Sequence, residues 1–117
     1  MHKRQDNSEV INSVMKEAVE FYLDEFGDSL NQVWLFGSKA RGEATVDSDL
    51  DVMVVVDKLG EMQNGYDAKR YDFALDILSR YDELISFMIE DENRFSDEST
   101  FRLYGNIKKE GVLYYEK

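Results

Sequence analysis

The chain has no cysteine, no proline and a single histidine, His2, among its 117 residues. Without cysteine there is no disulfide, no thiol nucleophile and no Cys/His zinc site, and a lone histidine in the N-terminal tail excludes a Ser-His-Asp triad. Positive charge is also scarce: 14 Lys and Arg against 25 Asp and Glu leave a net charge of -11. Lys and Arg contacts to phosphate supply most nucleic-acid affinity, so a general nucleic-acid binder is not expected. A basic or neutral protein partner suits such a chain better. No apolar run approaches the length of a membrane span or a secretory core, so a soluble, cytoplasmic protein without a membrane partner is expected. Nothing in the sequence accounts for the missing proline.

The length suits one domain over residues 1–117, with one core and no room for a second substrate-binding lobe. After a basic, frayed start at Met1-His2-Lys3-Arg4, the apolar residues Ile11, Val14, Met15, Ala18 and Tyr22 recur at helical spacing and predict a helix over 9–26. Asp6 and Glu9 are placed as its capping pair and Gly27 as its end. Strands are expected over 30–36, 49–56 and 84–89, a short helix from 39, a polar loop over 59–65, and a helix ending near Tyr81. That helix shows Tyr71, Ala74, Leu75 and Leu78, with Ile85 beyond, as its apolar face. Ser96-Asp97-Glu98 is expected to open a last helix ending at Lys108-Lys109 before Gly111, and 112–115 to form a terminal edge strand. The result is an α/β (α+β) fold, a small mixed sheet flanked by helices. The acidic runs Glu90-Asp91-Glu92 and Asp97-Glu98 read as solvated faces, and the Tyr and Phe residues as packing.

Chemistry concentrates between the first two strands. Val33-Trp34-Leu35-Phe36 runs into Gly37-Ser38-Lys39-Ala40-Arg41-Gly42, a strand-to-turn junction where backbone N–H groups can face a phosphate. After an intervening ten residues, 39–48, comes Asp49-Leu50-Asp51 at the head of an apolar run. Side chains alternate along a strand, so both carboxylates leave the same face, an arrangement that suits a hard divalent cation.

Gly37-Ser38, the fixed gap, Ser48-Asp49-Leu50-Asp51 and the apolar strand after them resemble the signature of the DNA polymerase beta-like nucleotidyltransferase superfamily. More narrowly, they resemble the minimal nucleotidyltransferases that pair with HEPN-domain proteins as toxin–antitoxin systems. The resemblance implies a polymerase beta-like fold, Mg2+ held by Asp49 and Asp51 as catalytic and metal residues, and an NTP, expected to be ATP, gripped at Gly37 and Ser38. Lys39 or Arg41 would face the phosphates, Arg41 being favoured for its fork geometry. Ser48 orders its own turn, and Asp47, a loop acid that could reach a metal, reads as plain surface.

One departure from the pattern stands in the third strand, where the family carries a third carboxylate. The best register puts Ser86 there, with Leu84 next on the same face. Asp82 and Glu90 lie at or beyond the strand ends, and Glu83 has the wrong parity. Three readings follow. The first is an Mg2+-dependent transferase moving a nucleoside monophosphate, expected to be AMP from ATP, to a hydroxyl on a partner protein, a HEPN-type toxin being the partner the resemblance implies. The second is a catalytically weak or inactive nucleotide-binding module that docks to its partner. The third, transfer to an aminoglycoside-like small molecule, lacks a lobe to cover the drug.

Overall fold

The computed structural model describes residues 7–42, 49–58, 68–97, 99 and 101–117. Residues 1–4, Asp6, Asp47, Ser48, the loop 59–65 and Glu98, about which the sequence raised expectations, lie outside the described residues.

Helix α1 (Asn7–Phe26) leads through a 3-10 turn (Gly27–Ser29) into β1 (Leu30–Phe36). The single turn of α2 (Ser38–Arg41) and strand β2 (Leu50–Val56) follow, then α3 (Ala68–Tyr81), β3 (Ile85–Asp91), α4 (Glu92–Ser96), α5 (Arg102–Glu110) and β4 (Val112–Glu116). The sheet order is β3-β2-β1-β4. β1 pairs antiparallel with β2 and β4, whereas β2 and β3 run parallel, which makes the sheet mixed, as expected.

The apolar run Val52–Val56 is completely buried because β2 is central and helices cover both faces. Val52, Val54 and Val56 join Leu35, Ile85 and the α1 residues Val14, Met15 and Tyr22 in one core. Met53 and Val55 face the other way, onto Phe95 of α4 and Tyr104 and Ile107 of α5. A register shift between Leu30 and Gln32 lets Leu30 and Val33, three residues apart, bury on the same side. α1 and α3 pack antiparallel, with Arg70 on Glu25 at one end and Arg80 on Glu17 at the other. The aromatics pack, as expected: Phe21 stacks on Phe73, and Tyr22 meets Phe87 edge-on.

The structure corrects three expectations. The buried stripe of α3 is Ile77 with Phe73, Ala74 and Tyr81; Tyr71, Leu75 and Leu78 are exposed, and Ile85 opens β3. Two stripes one residue apart are both apolar here, and only packing against α1 selects between them. The last helix is split, because the Asp91 carboxylate accepts the Arg94 N–H at 2.8 Å and starts α4 early. Ser96 therefore closes α4 instead of opening α5. Finally, Glu90 is not on a solvated face: β3 runs on to Asp91, and Glu90 lies inside it at 9% exposure.

Candidate active site

β1 delivers Gly37 to the sheet end where β2 begins, and the ladder sets Phe36 beside Asp51. Gly37 has φ 80 and ψ -161, a conformation reserved for glycine. A Cβ built at Gly37 would overlap Oδ2 of Asp51. The sequence reads this turn as one that can face a phosphate; the structure adds a requirement for glycine there, room for the Asp51 carboxylate. Ser38 then starts α2, and Gly42 closes it in the left-handed region, its N–H reaching the carbonyls of Lys39 and Ser38.

Asp51 is partly buried, and burial followed by the nearby charge of Asp49 pushes its carboxyl above the ordinary value of 3.8. Leu50 between them is fully buried, its N–H held by the Leu84 carbonyl at 2.8 Å. Two carboxylates on one side of that anchor repel each other. Among the described residues, no donor is placed on Asp51 to relieve the repulsion. Nor does any group of three or more acidic or histidine side chains gather there, so Asp49 and Asp51 stand as a pair. A hard divalent cation fits this donor set, since it would cancel both the repulsion and the cost of burial.

The two basic residues of the turn differ sharply. Lys39 is committed to Glu83 at 2.8 Å, with side chains only 8% and 13% exposed. Arg41 is on the open side, 3.6 Å from Glu110 at the end of α5.

In the third strand, Ser86 is the register partner of Asp51. Two of the alternative acids, Glu83 and Glu90, have side-chain partners. Asp82, at φ 58, closes α3 with its N–H on the Leu78 carbonyl, and Glu83 holds Lys39. Glu90 accepts from the Tyr104 hydroxyl at 2.7 Å, the Asp91 N–H at 2.9 Å and Arg94 at 3.2 Å. Sequence reading missed the Lys39–Glu83 pair, whose members are 44 positions apart, and the Glu90 network. Alternation puts Glu90 on the face of Ser86 and Met88, both exposed, so nothing local marks Glu90 as buried.

The profile of the nucleotidyltransferase domain family matches residues 15–114, nearly the whole chain. The chain belongs to the nucleotidyltransferase domain family. A Methanocaldococcus jannaschii protein named as a candidate protein adenylyltransferase is 28% identical over 101 residues, covering 86% of this chain and 94% of that one. The fold is shared with a candidate nucleotidyltransferase from Sulfolobus solfataricus, at a TM-score of 0.58 and 24% identity, covering 100% of this chain and 93% of that one. It is also shared with a toxin–antitoxin structure containing AMP-PNP, at a TM-score of 0.56 and 20% identity, covering 87% and 73%. This nucleotidyltransferase thus shows the mixed sheet and flanking helices of its family. No helix among its described residues is long and apolar enough to cross a membrane.

Proposed function

We propose that this nucleotidyltransferase is a Mg2+-dependent adenylyltransferase that moves AMP from ATP to a hydroxyl of a protein partner, the partner being a HEPN-type toxin. The observation that carries the reading is the Asp49–Asp51 pair set against the Gly37-Ser38 turn, with Gly37 leaving room for the Asp51 carboxylate. The protein adenylyltransferase name of the archaeal relative and the toxin–antitoxin likeness support the choice of acceptor. The acidic surface, at -11, favours a protein over a nucleic acid.

Asp49 and Asp51 would hold the metal, which when bound screens phosphate charge and stabilises the pyrophosphate leaving group. Ser38 and the Gly37 turn bind the triphosphate, and Arg41 exchanges its Glu110 contact for a phosphate. A bond forms between the acceptor oxygen and the α-phosphorus as the bond to the β-phosphate's bridging oxygen breaks. Pyrophosphate departs, and the hydroxyl proton passes to solvent.

Incubating the purified protein and a HEPN-type partner with ATP labelled at the α-phosphate and Mg2+ should put label on the partner. Equal labelling by Asp49→Asn/Asp51→Asn would sink the assignment. Ser86 opposite Asp51 favours a second reading, a slow or inactive nucleotide-binding module that acts by docking. Loss of a positioned base typically costs about 10²–10⁴-fold in rate, so Ser86→Asp should speed transfer while leaving ATP affinity nearly unchanged. If the parent transfers briskly and Ser86→Asp slows it, the docking reading fails.

A further inference from the structure

β3 has β2 on one side only. The Leu50 N–H bonds to the Leu84 carbonyl, so the parallel ladder turns the backbone groups of Leu84, Ser86, Met88 and Glu90 toward β2. Those of Ile85, Phe87 and Ile89 therefore point outward, and among the described residues none of these meets a backbone partner beyond β2. The next outward N–H, on Asp91, is closed off by the Glu90 side chain.

Natural edges are blunted by bulges, charged residues or short length. β4, the opposite edge, is five residues long and carries a register shift against β1. β3 has seven consecutive pairs with β2 and no such irregularity. On the face shared with Asp51 it presents Leu84 at 50% exposure, Ser86, and Met88 at 38%. An extended chain added there would run past Ser86, two strand spacings or about 10 Å from the Asp51 backbone.

With Glu83 paired to Lys39 and Glu90 to Arg94, the charge left around this edge is that of Asp82, Asp91 and Glu92, all acidic. Between Arg80 and Arg94 the chain carries Asp82, Glu83, Glu90, Asp91 and Glu92 and no Lys or Arg. A second copy pairing across a two-fold axis would set Asp82 against the acids at 91 and 92, which is repulsive. A segment with Lys or Arg at its ends is complementary.

We propose that the outer edge of β3 receives an extended, basic-ended, hydroxyl-bearing segment of the acceptor protein as an added strand, with Leu84 and Met88 as its apolar footing. This rests on the transfer reading above for its acceptor, while the docking itself needs only the edge. The reaction is the one already balanced, at a hydroxyl oxygen of the segment.

The test uses the whole protein and a synthetic peptide of alternating valine and serine with a lysine at each end, set against a counterpart ending in glutamates. Hydrogen exchange at the Ile85, Phe87 and Ile89 amides should slow about tenfold with the lysine-ended peptide, the scale of one new backbone hydrogen bond. The glutamate-ended peptide should leave those amides unchanged. Leu84→Lys/Met88→Lys, at exposed positions, should abolish the protection while Mg-ATP affinity stays within about twofold by calorimetry. Absence of protection, equal protection by both peptides, or protection that depends on protein concentration without peptide overturns the docking site. A peptide that protects the three amides but takes no label from ATP supports the edge and counts against the transfer reading. Labelling without protection does the reverse.

Discussion

At one end of the sheet face covered by α5, Glu90 is enclosed by donors: the Tyr104 hydroxyl, its neighbour's N–H and Arg94. At the other end, four residues back along the β2–β3 ladder, Asp51 is partly buried beside a second carboxylate, with burial and Asp49 both raising its carboxyl. Both acids occupy the same strand face. Among the described residues, one is enclosed by donors and the other has none placed on it. On the proposed reading the first stabilises the protein and the second is kept for a ligand, and that is the distinction mutations should expose.

The largest effect is expected at the unsatisfied end. Asp49→Asn/Asp51→Asn should lower transfer to the partner by at least about a thousandfold, on the scale of losing electrostatic stabilisation at a reacting phosphate. Its thermal midpoint in chelator should not fall. A drop in midpoint would show that Asp51 is structural like Glu90. At the satisfied end, Glu90→Ala leaves the Tyr104 hydroxyl and the Asp91 N–H without their acceptor and should cost about 2–4 kcal/mol in urea unfolding. Mg-ATP affinity of the folded fraction should be unchanged; if it collapses instead, the contrast between the two ends is false.

Lys39 and Glu83 sharpen the comparison, since their pair lies beside the unsatisfied end yet belongs to the satisfied kind. Lys39→Met strands a nearly buried carboxylate and should cost about 1–3 kcal/mol, below the range for a fully buried pair. The double variant Lys39→Met/Glu83→Gln should recover part of that loss, as a double-mutant cycle would show. A cost confined to ATP affinity, with no change in stability, would mean that Lys39 faces the phosphates after all.

The smallest effect is in pH dependence. A carboxyl raised in the folded state contributes stability fully present below its unfolded value, near 3.8, and lost as pH rises through the folded value. Metal-free protein should therefore lose some stability over that rise relative to Asp51→Asn, and saturating Mg2+ should remove the difference. Parallel curves for the two proteins would remove Asp51 from the account.

Much of the fold was legible because its signals are local. The 3.6 spacing of Val14, Met15, Ala18 and Tyr22 predicts α1, and β1 lies at 30–36 as expected. The Gly37-Ser38 turn and the Asp49-x-Asp51 parity are likewise written in neighbouring residues. Ser86 was placed at the third-carboxylate position by resemblance and strand register, and the ladder sets it opposite Asp51. The face of α3 was misread because Tyr71, Leu75 and Leu78 make as good a stripe as Phe73, Ile77 and Tyr81 until α1 covers one of them. The acids were harder still. Glu83, Glu90 and Asp91 look alike along the chain, yet one pairs with Lys39, one is enclosed by Tyr104 and Arg94, and one caps α4.

The sequence by itself determined which carboxylates sit beside a glycine turn at the head of a buried strand, because alternation and turn chemistry act over a few residues. Only the tertiary structure decided which acids are already matched with donors and which are not. Those partners come from segments tens of residues away, and a carboxylate's cost or benefit depends on burial and neighbouring charge, neither of which exists until the sheet and its helices close around it.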